Sequence, residues 1–144
     1  MSRGVREILE SSRTVAVVGA SRDAGKPSGK IPHLLQHRGW RVIPVNPNVE
    51  ELLGERAYPS LLDIREPIDV VDVFRPAAEA PEIARQAVAI GAKALWLQLG
   101  ITSEAARKIA EEAGLDYVED LCMGRETVRL QVAQNPMVRL SRGS

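Results

Sequence analysis

Four short stretches place small, polar or rigid residues directly behind apolar runs: Gly19-Ala20-Ser21-Arg22, Asn46-Pro47, Phe74-Arg75-Pro76 and Gln98-Leu99-Gly100. The first carries the most chemistry. It opens the run GASRDAGKPSGKI, in which Gly19 lets the backbone turn sharply off the apolar segment before it. Ala20 and Ser21 are expected to leave free amides and a hydroxyl. A helix start beyond them offers unpaired N–H groups to a phosphate. Arg22, Lys26 and Lys30 add cations, with His33 one turn further on. That concentration of positive charge suits a polyanionic ligand. The competing reading is a solvated basic loop.

Residues able to do covalent or metal chemistry are few. His33 and His37 are four apart on one expected helix, a spacing that suits two metal ligands. No third ligand and no HExxH pattern accompany them, so both are expected as surface or half-buried helix residues. Cys122 is the single cysteine, which rules out an internal disulfide framework. No histidine lies near it in sequence to act as a base, so it is expected as a small buried residue rather than a nucleophile. Asp69 and Asp72 flank an apolar run, where capping or pairing with a cation is the simplest role. Glu119-Asp120 follow another. Trp40 and Trp96 are expected to pack. No Ser–His–Asp set and no paired acid and base stand out, so no catalytic residue is assigned.

These residues need a scaffold, and the apolar pattern supplies one. Short runs rich in β-branched residues fall at 15–20, 41–46, 70–74, 94–99 and, more weakly, 115–120. Continuous apolar runs of this length read as buried parallel strands. Between them lie helical patterns. Ile31, Leu34 and Leu35 share a face that Gly39 terminates. Pro81 suits a first turn ahead of the stripe Ile83, Ala84, Ala87 and Val88, which Gly91 ends. Ser103 suits a cap ahead of Ala106, Ile109, Ala110 and Ala113, with Gly114 behind. Val5, Ile8 and Leu9 have helical spacing, and 123–134 is expected as a last helix stopped near Asn135-Pro136. Segment 47–68 reads as a loop with a helical turn.

Alternating strands and helices imply an α/β, three-layer Rossmann-like fold. The expected sheet has five parallel strands in the order 3-2-1-4-5, with helices on both faces and right-handed crossovers. Ligands of such sheets bind at the carboxyl ends of the strands, where strand order reverses. In this order the reversal falls between the first and fourth strands. Residues 1–144 are expected to form a single domain, with its core at about 10–125.

Composition narrows the classes. Hydrophobic residues make up 44%, which excludes a disordered chain. Nineteen basic residues balance 19 acidic ones, so no whole-molecule field draws the chain to nucleic acid or membrane. Aromatics at 3% leave no base-stacking platform. The charged, amphipathic opening lacks a signal-peptide core, and no apolar run is long enough to span a bilayer. A soluble, cytoplasmic protein is expected. Its oligomeric state is open.

The blocks VAVVGAS (15–21), RVIPVNP (41–47), VDVVDVF-R (69–75) and LWLQLG (95–100) resemble, in order and spacing, the small CoA-binding protein family. That family is related to the nucleotide-binding domain of succinyl-CoA synthetase α-subunits. The resemblance covers roughly residues 10–125. It implies a Rossmann-like fold with coenzyme A as the ligand. By position, Gly19, Ala20, Ser21 and Arg22 would receive the diphosphate, with Ser28 and Lys30 near phosphate. Asn46 and Pro47 would border the adenosine. Val73, Phe74 and Arg75 would line the crevice for adenine or ribose, and Gln98 and Gly100 would lie toward the pantetheine. Lys26 and Gly29 stand in a variable loop to which no role is carried over. Many members of the family have no established reaction.

The leading expectation is a CoA or acyl-CoA binding or regulatory module without chemistry of its own. An NAD(P)-linked redox or sensor domain is the second. Against it, position 21 is serine where G-x-G-x-x-G needs glycine, and the second strand ends in Val45-Asn46-Pro47 with no carboxylate for a ribose hydroxyl. A third is one part of a split acyl-CoA synthetase; the chain is too short for the separate domain that carries the phosphorylated histidine of succinyl-CoA synthetase. A fourth is a structural or regulatory domain with an empty crevice. A mixed disulfide between Cys122 and the CoA thiol stays open at this level.

Overall fold

A computed structural model describes residues 3–134 of the chain. The apolar runs form β1 (Thr14–Val18), β2 (Arg41–Val45), β5 (Val70–Val73), β6 (Ala94–Leu97) and β7 (Asp116–Val118); a small hairpin adds β3 (Glu51–Leu52) and β4 (Glu55–Arg56). The helices are α1 (Val5–Ser11), α2 (Pro27–His37), α3 (Ala80–Ala89), α4 (Glu104–Glu112) and α5 (Met123–Arg129), with short 3-10 turns at Leu61–Asp63 and Ala77–Glu79.

The main sheet is parallel, five-stranded and ordered β2-β1-β5-β6-β7. It is the expected three-layer Rossmann-like architecture with one correction. In the order of the five main strands it reads 2-1-3-4-5, not 3-2-1-4-5. The third strand sits in the middle, between the first and the fourth, and the second strand is the edge.

Two physical reasons explain the order. Pro44 lies inside β2 and has no N–H to give to a second neighbour. Its carbonyl points outward and accepts from Tyr58 N at 3.0 Å. All four residues of β5, VVDV, are buried, as a central strand requires. The reversal of strand order therefore falls between β1 and β5.

Segment 47–68 makes the connection with the hairpin and one 3-10 turn capped by Ser60, whose Oγ accepts from Leu62 N at 3.2 Å. The hairpin turns through Leu53 and Gly54, both at positive φ.

Two cores flank the sheet. On one face Val15, Val17 and Trp96 pack under α1, α2 and α5, through Ile8, Leu9, Leu35 and Met123. On the other, Ala16, Val71 and Leu95 pack under α3 and α4, through Ile83, Ala84, Ala87, Ala106 and Ala110. Each large side chain so buried contributes about 1.5–3 kcal/mol. Trp96 is fully buried, and its Nε1 donates to Leu121 O at 2.8 Å. Trp40 also packs in the core.

Ser103 caps α4, its Oγ accepting from Ala106 N at 3.1 Å. Ala113, expected on the inner stripe, is the exposed C-cap. The last helix stops at Arg129, short of the expected 134, where Gln131 takes a positive φ. Asn135-Pro136 lies outside the described residues. Among the described residues no helix is long and apolar enough to cross a membrane.

Candidate functional site

The turn after β1 is built from tight backbone contacts. Gly19 has φ +89°, and a Cβ there would lie 2.9 Å from Arg75 Cδ and 3.1 Å from Phe74 O. Only glycine lets β1 and β5 end this close together. Loop 21–26 then folds back onto the start of α2. A Cβ on Gly29 would come within 2.2 Å of Asp23 O and 2.9 Å of Ser21 O. Gly29 is thus a packing residue, and its role was invisible until the loop was placed.

The expected nest of bare amides is smaller than the sequence suggested. Ser21 N donates to Ser28 O at 3.0 Å, and Ser21 Oγ accepts from Asp23 N at 3.0 Å. Pro27, the first residue of α2, has no N–H, and Gly29 N turns back to Lys26 O. Among the described residues the amides of Ala20 and Ser28 in this turn have no partner. Asn46 clamps the turn from the side: its Nδ2 donates to Ala20 O at 2.9 Å, and its Oδ1 accepts from Asn48 N at 2.7 Å.

A groove of about 590 Å³ opens at the carboxyl ends of β1, β2 and β5. It brings together Gly19, Ala20, Ser21 and Ser28 from the first turn, Asn46 and Pro47 from the second, and Phe74 and Arg75 from the third. Its far wall was not foreseen. Pro59 and Ser60 of the connection and Glu79, Ile83 and Gln86 of the α3 region complete it. The expected strand order hid these residues, because it put the third strand at the opposite edge from the crevice. Pro44, readable in the sequence, is the signal that would have corrected it.

A second cavity of about 570 Å³ adjoins the groove, sharing Lys26, Ser28 and Phe74 with it. Lys30, Gln98 and Cys122 line this cavity instead. Cys122 is half-buried, and its Sγ accepts from Arg125 N at 3.5 Å at the start of α5.

Three expected residues lie elsewhere. Val73 is fully buried in the core beneath α3. Gly100 is exposed, with φ +87°, and its N–H is taken by Asp120 Oδ1 at 2.7 Å. Arg22 turns from the groove toward the hairpin: its guanidinium donates to Glu51 O at 3.3 Å and borders a smaller hollow with Lys30 and His33.

Charge at the groove is mixed. Arg75 holds Glu79 through two bonds, at 3.0 and 2.7 Å. That pairing lowers the Glu79 carboxyl below the usual carboxylate range. Among the described residues Lys26 and Lys30 form no ion pair.

The flanking acids divide sharply. Asp69 caps the strand starts, its Oδ2 accepting from Arg13 N at 2.8 Å and Thr14 N at 3.0 Å. Among the described residues Asp72 neither caps a backbone amide nor meets a cation, contrary to its expected role. It is fully buried, bonds only Gln98, and desolvation pushes its carboxyl up to about 7 against the pull of that bond.

The chain is similar to several known proteins. A family model described as a CoA binding domain matches residues 13–127. The uncharacterized protein YneT of Bacillus subtilis is 37% identical over 119 residues, covering 83% of this chain and 88% of that one. A hypothetical protein from Pyrococcus horikoshii OT3 superposes with a TM-score of 0.86 at 42% identity, covering 88% of this chain and 89% of its own. The ADP-forming acetate–CoA ligase II of Archaeoglobus fulgidus is 37% identical over 101 residues, but that stretch is only 15% of the ligase. By the extent of these matches, the chain belongs to the CoA binding domain family.

Proposed function

We propose that this protein binds coenzyme A or an acyl-CoA through its adenosine diphosphate moiety, acting as a binding or regulatory module. One observation carries the assignment: the groove of about 590 Å³ at the strand-order reversal joins the unpaired amides of Ala20 and Ser28 to the Lys26 cation. Amides at a helix start suit a diphosphate, and a lysine suits its charge. Phe74 and Pro47 supply apolar surface for the base. The absence of a carboxylate at Asn46 favours a nucleotide whose ribose hydroxyls are not read by an acid. The ligase match supports the same ligand chemistry, since a similar segment forms part of an enzyme named for CoA.

The test is thermal unfolding with CoA, dephospho-CoA, NAD and NADP, alongside the Lys26→Ala variant. A ligand at a hundredfold excess over its Kd adds about 2.7 kcal/mol, which raises Tm by several degrees at this chain length. CoA is expected to give that rise, dephospho-CoA less, and Lys26→Ala a smaller rise with CoA. A rise with NADP alone overturns the proposal.

A further inference from the structure

Asp72 is the buried polar group that the groove does not explain. It occupies the centre of the sheet, paired in register with Val17 of β1 and Trp96 of β6, and among the described residues no cation reaches it. Its Oδ1 accepts from Gln98 Nε2 at 2.5 Å, and its Oδ2 has no partner. An ionised carboxylate offers only lone pairs. With Asp72 ionised, the Gln98 NH2 group turns to it, and the Gln98 carbonyl turns away from it.

Gln98 is itself 4% exposed, and it forms part of the wall of the second cavity. Among the described residues its Oε1 has no hydrogen-bond donor. Ile31, Phe74, Leu99 and Ile101 give the wall an apolar stretch, with Lys26, Lys30 and Arg125 also lining the cavity, and Leu99 is 60% exposed although it is apolar. An apolar stretch beside a fixed acceptor fits a chain that is apolar along its length and carries an N–H.

We propose that Asp72 is a positioning residue that holds the Gln98 carbonyl toward the second cavity, where it accepts a hydrogen bond from an amide N–H of an otherwise apolar ligand arm. The assignment rests on the CoA proposal, because the pantetheine arm is an amide-bearing chain that leaves from the diphosphate. The two cavities meet at Lys26, Ser28 and Phe74, so an arm leaving the groove enters the second cavity directly.

The experiment compares CoA with adenosine 3′-phosphate 5′-diphosphate, which lacks the arm, by calorimetric titration at pH 8. Wild type is expected to bind CoA more tightly than the truncated nucleotide. Gln98→Leu is expected to weaken CoA about three- to tenfold, the worth of one hydrogen bond, and to leave the truncated nucleotide unchanged. Asp72→Val is expected to weaken CoA alone, while Asp72→Asn, which keeps an acceptor for the Gln98 NH2, stays within about twofold of wild type.

Equal affinity of wild type for the two ligands overturns the inference and leaves the CoA proposal standing. Binding of neither ligand overturns the CoA proposal itself. A Gln98→Leu or Asp72→Val variant that loses both ligands equally shows a structural role and also overturns the inference. Should Asp72→Val not fold, the Gln98 side-chain amide signals of wild type decide: CoA must shift them and the truncated nucleotide must not.

Discussion

Glu79 sets the charge at the mouth of the groove. Its carboxylate lines the site and occupies both Arg75 donors on one edge, so an incoming phosphate meets a cation already paired. Both side chains are close to half exposed, which keeps the pair weak and exchangeable. Glu79→Gln removes the repulsion and frees the guanidinium. CoA is expected to bind about two- to fivefold more tightly to that variant by calorimetric titration. Unchanged affinity would place the phosphates out of reach of Arg75. At this scale the sequence named most of the groove, because the residues follow strand ends directly. It missed Glu79 and Gln86, which become neighbours of Gly19 only after β5 is placed beside β1. It also overcounted free amides, since Ser21 N is taken by a carbonyl seven residues ahead.

The decisive element is the β1–loop–α2 unit. Gly19 allows the turn, and Gly29 allows loop 21–26 to lie on the helix start with backbone atoms closer than any side chain permits. Gly29→Ala forces a Cβ into Asp23 O and Ser21 O, which are backbone atoms and cannot rotate away. A destabilisation of about 1–3 kcal/mol is expected in denaturant unfolding. Because the loop must lift, CoA affinity is expected to fall as well. A Gly29→Ala protein of wild-type stability would mean that the loop is not packed as described. The glycines after α2, α3 and α4 were legible as stops from local chemistry alone. Gly29 was not, because its constraint comes from a loop folding back on it.

Across the whole molecule, stability is tied to Asp72. Burial holds its proton up to about pH 7, whereas an unfolded carboxyl loses it near 3.8. Between those values the folded state binds more protons, so stability falls as pH rises through the window and the loss is complete above 7. Its size is of order 4 kcal/mol, so Asp72→Asn is expected to flatten this pH dependence and to be the more stable protein at pH 8 in thermal unfolding. A wild-type stability that rises steadily from pH 4 to 7, unchanged in slope by the substitution, would sink this account.

By itself the sequence determined the fold class, the helix limits marked by glycine and Ser103, and three of the turns around the groove, because apolar periodicity and turn chemistry are local. Only the tertiary structure decided the strand order, the far wall of the groove, the pairing of Asp72 with Gln98 and the fate of each amide. Those depend on which strand lies beside which, and partners of that kind are set by burial and backbone pairing across distant parts of the chain.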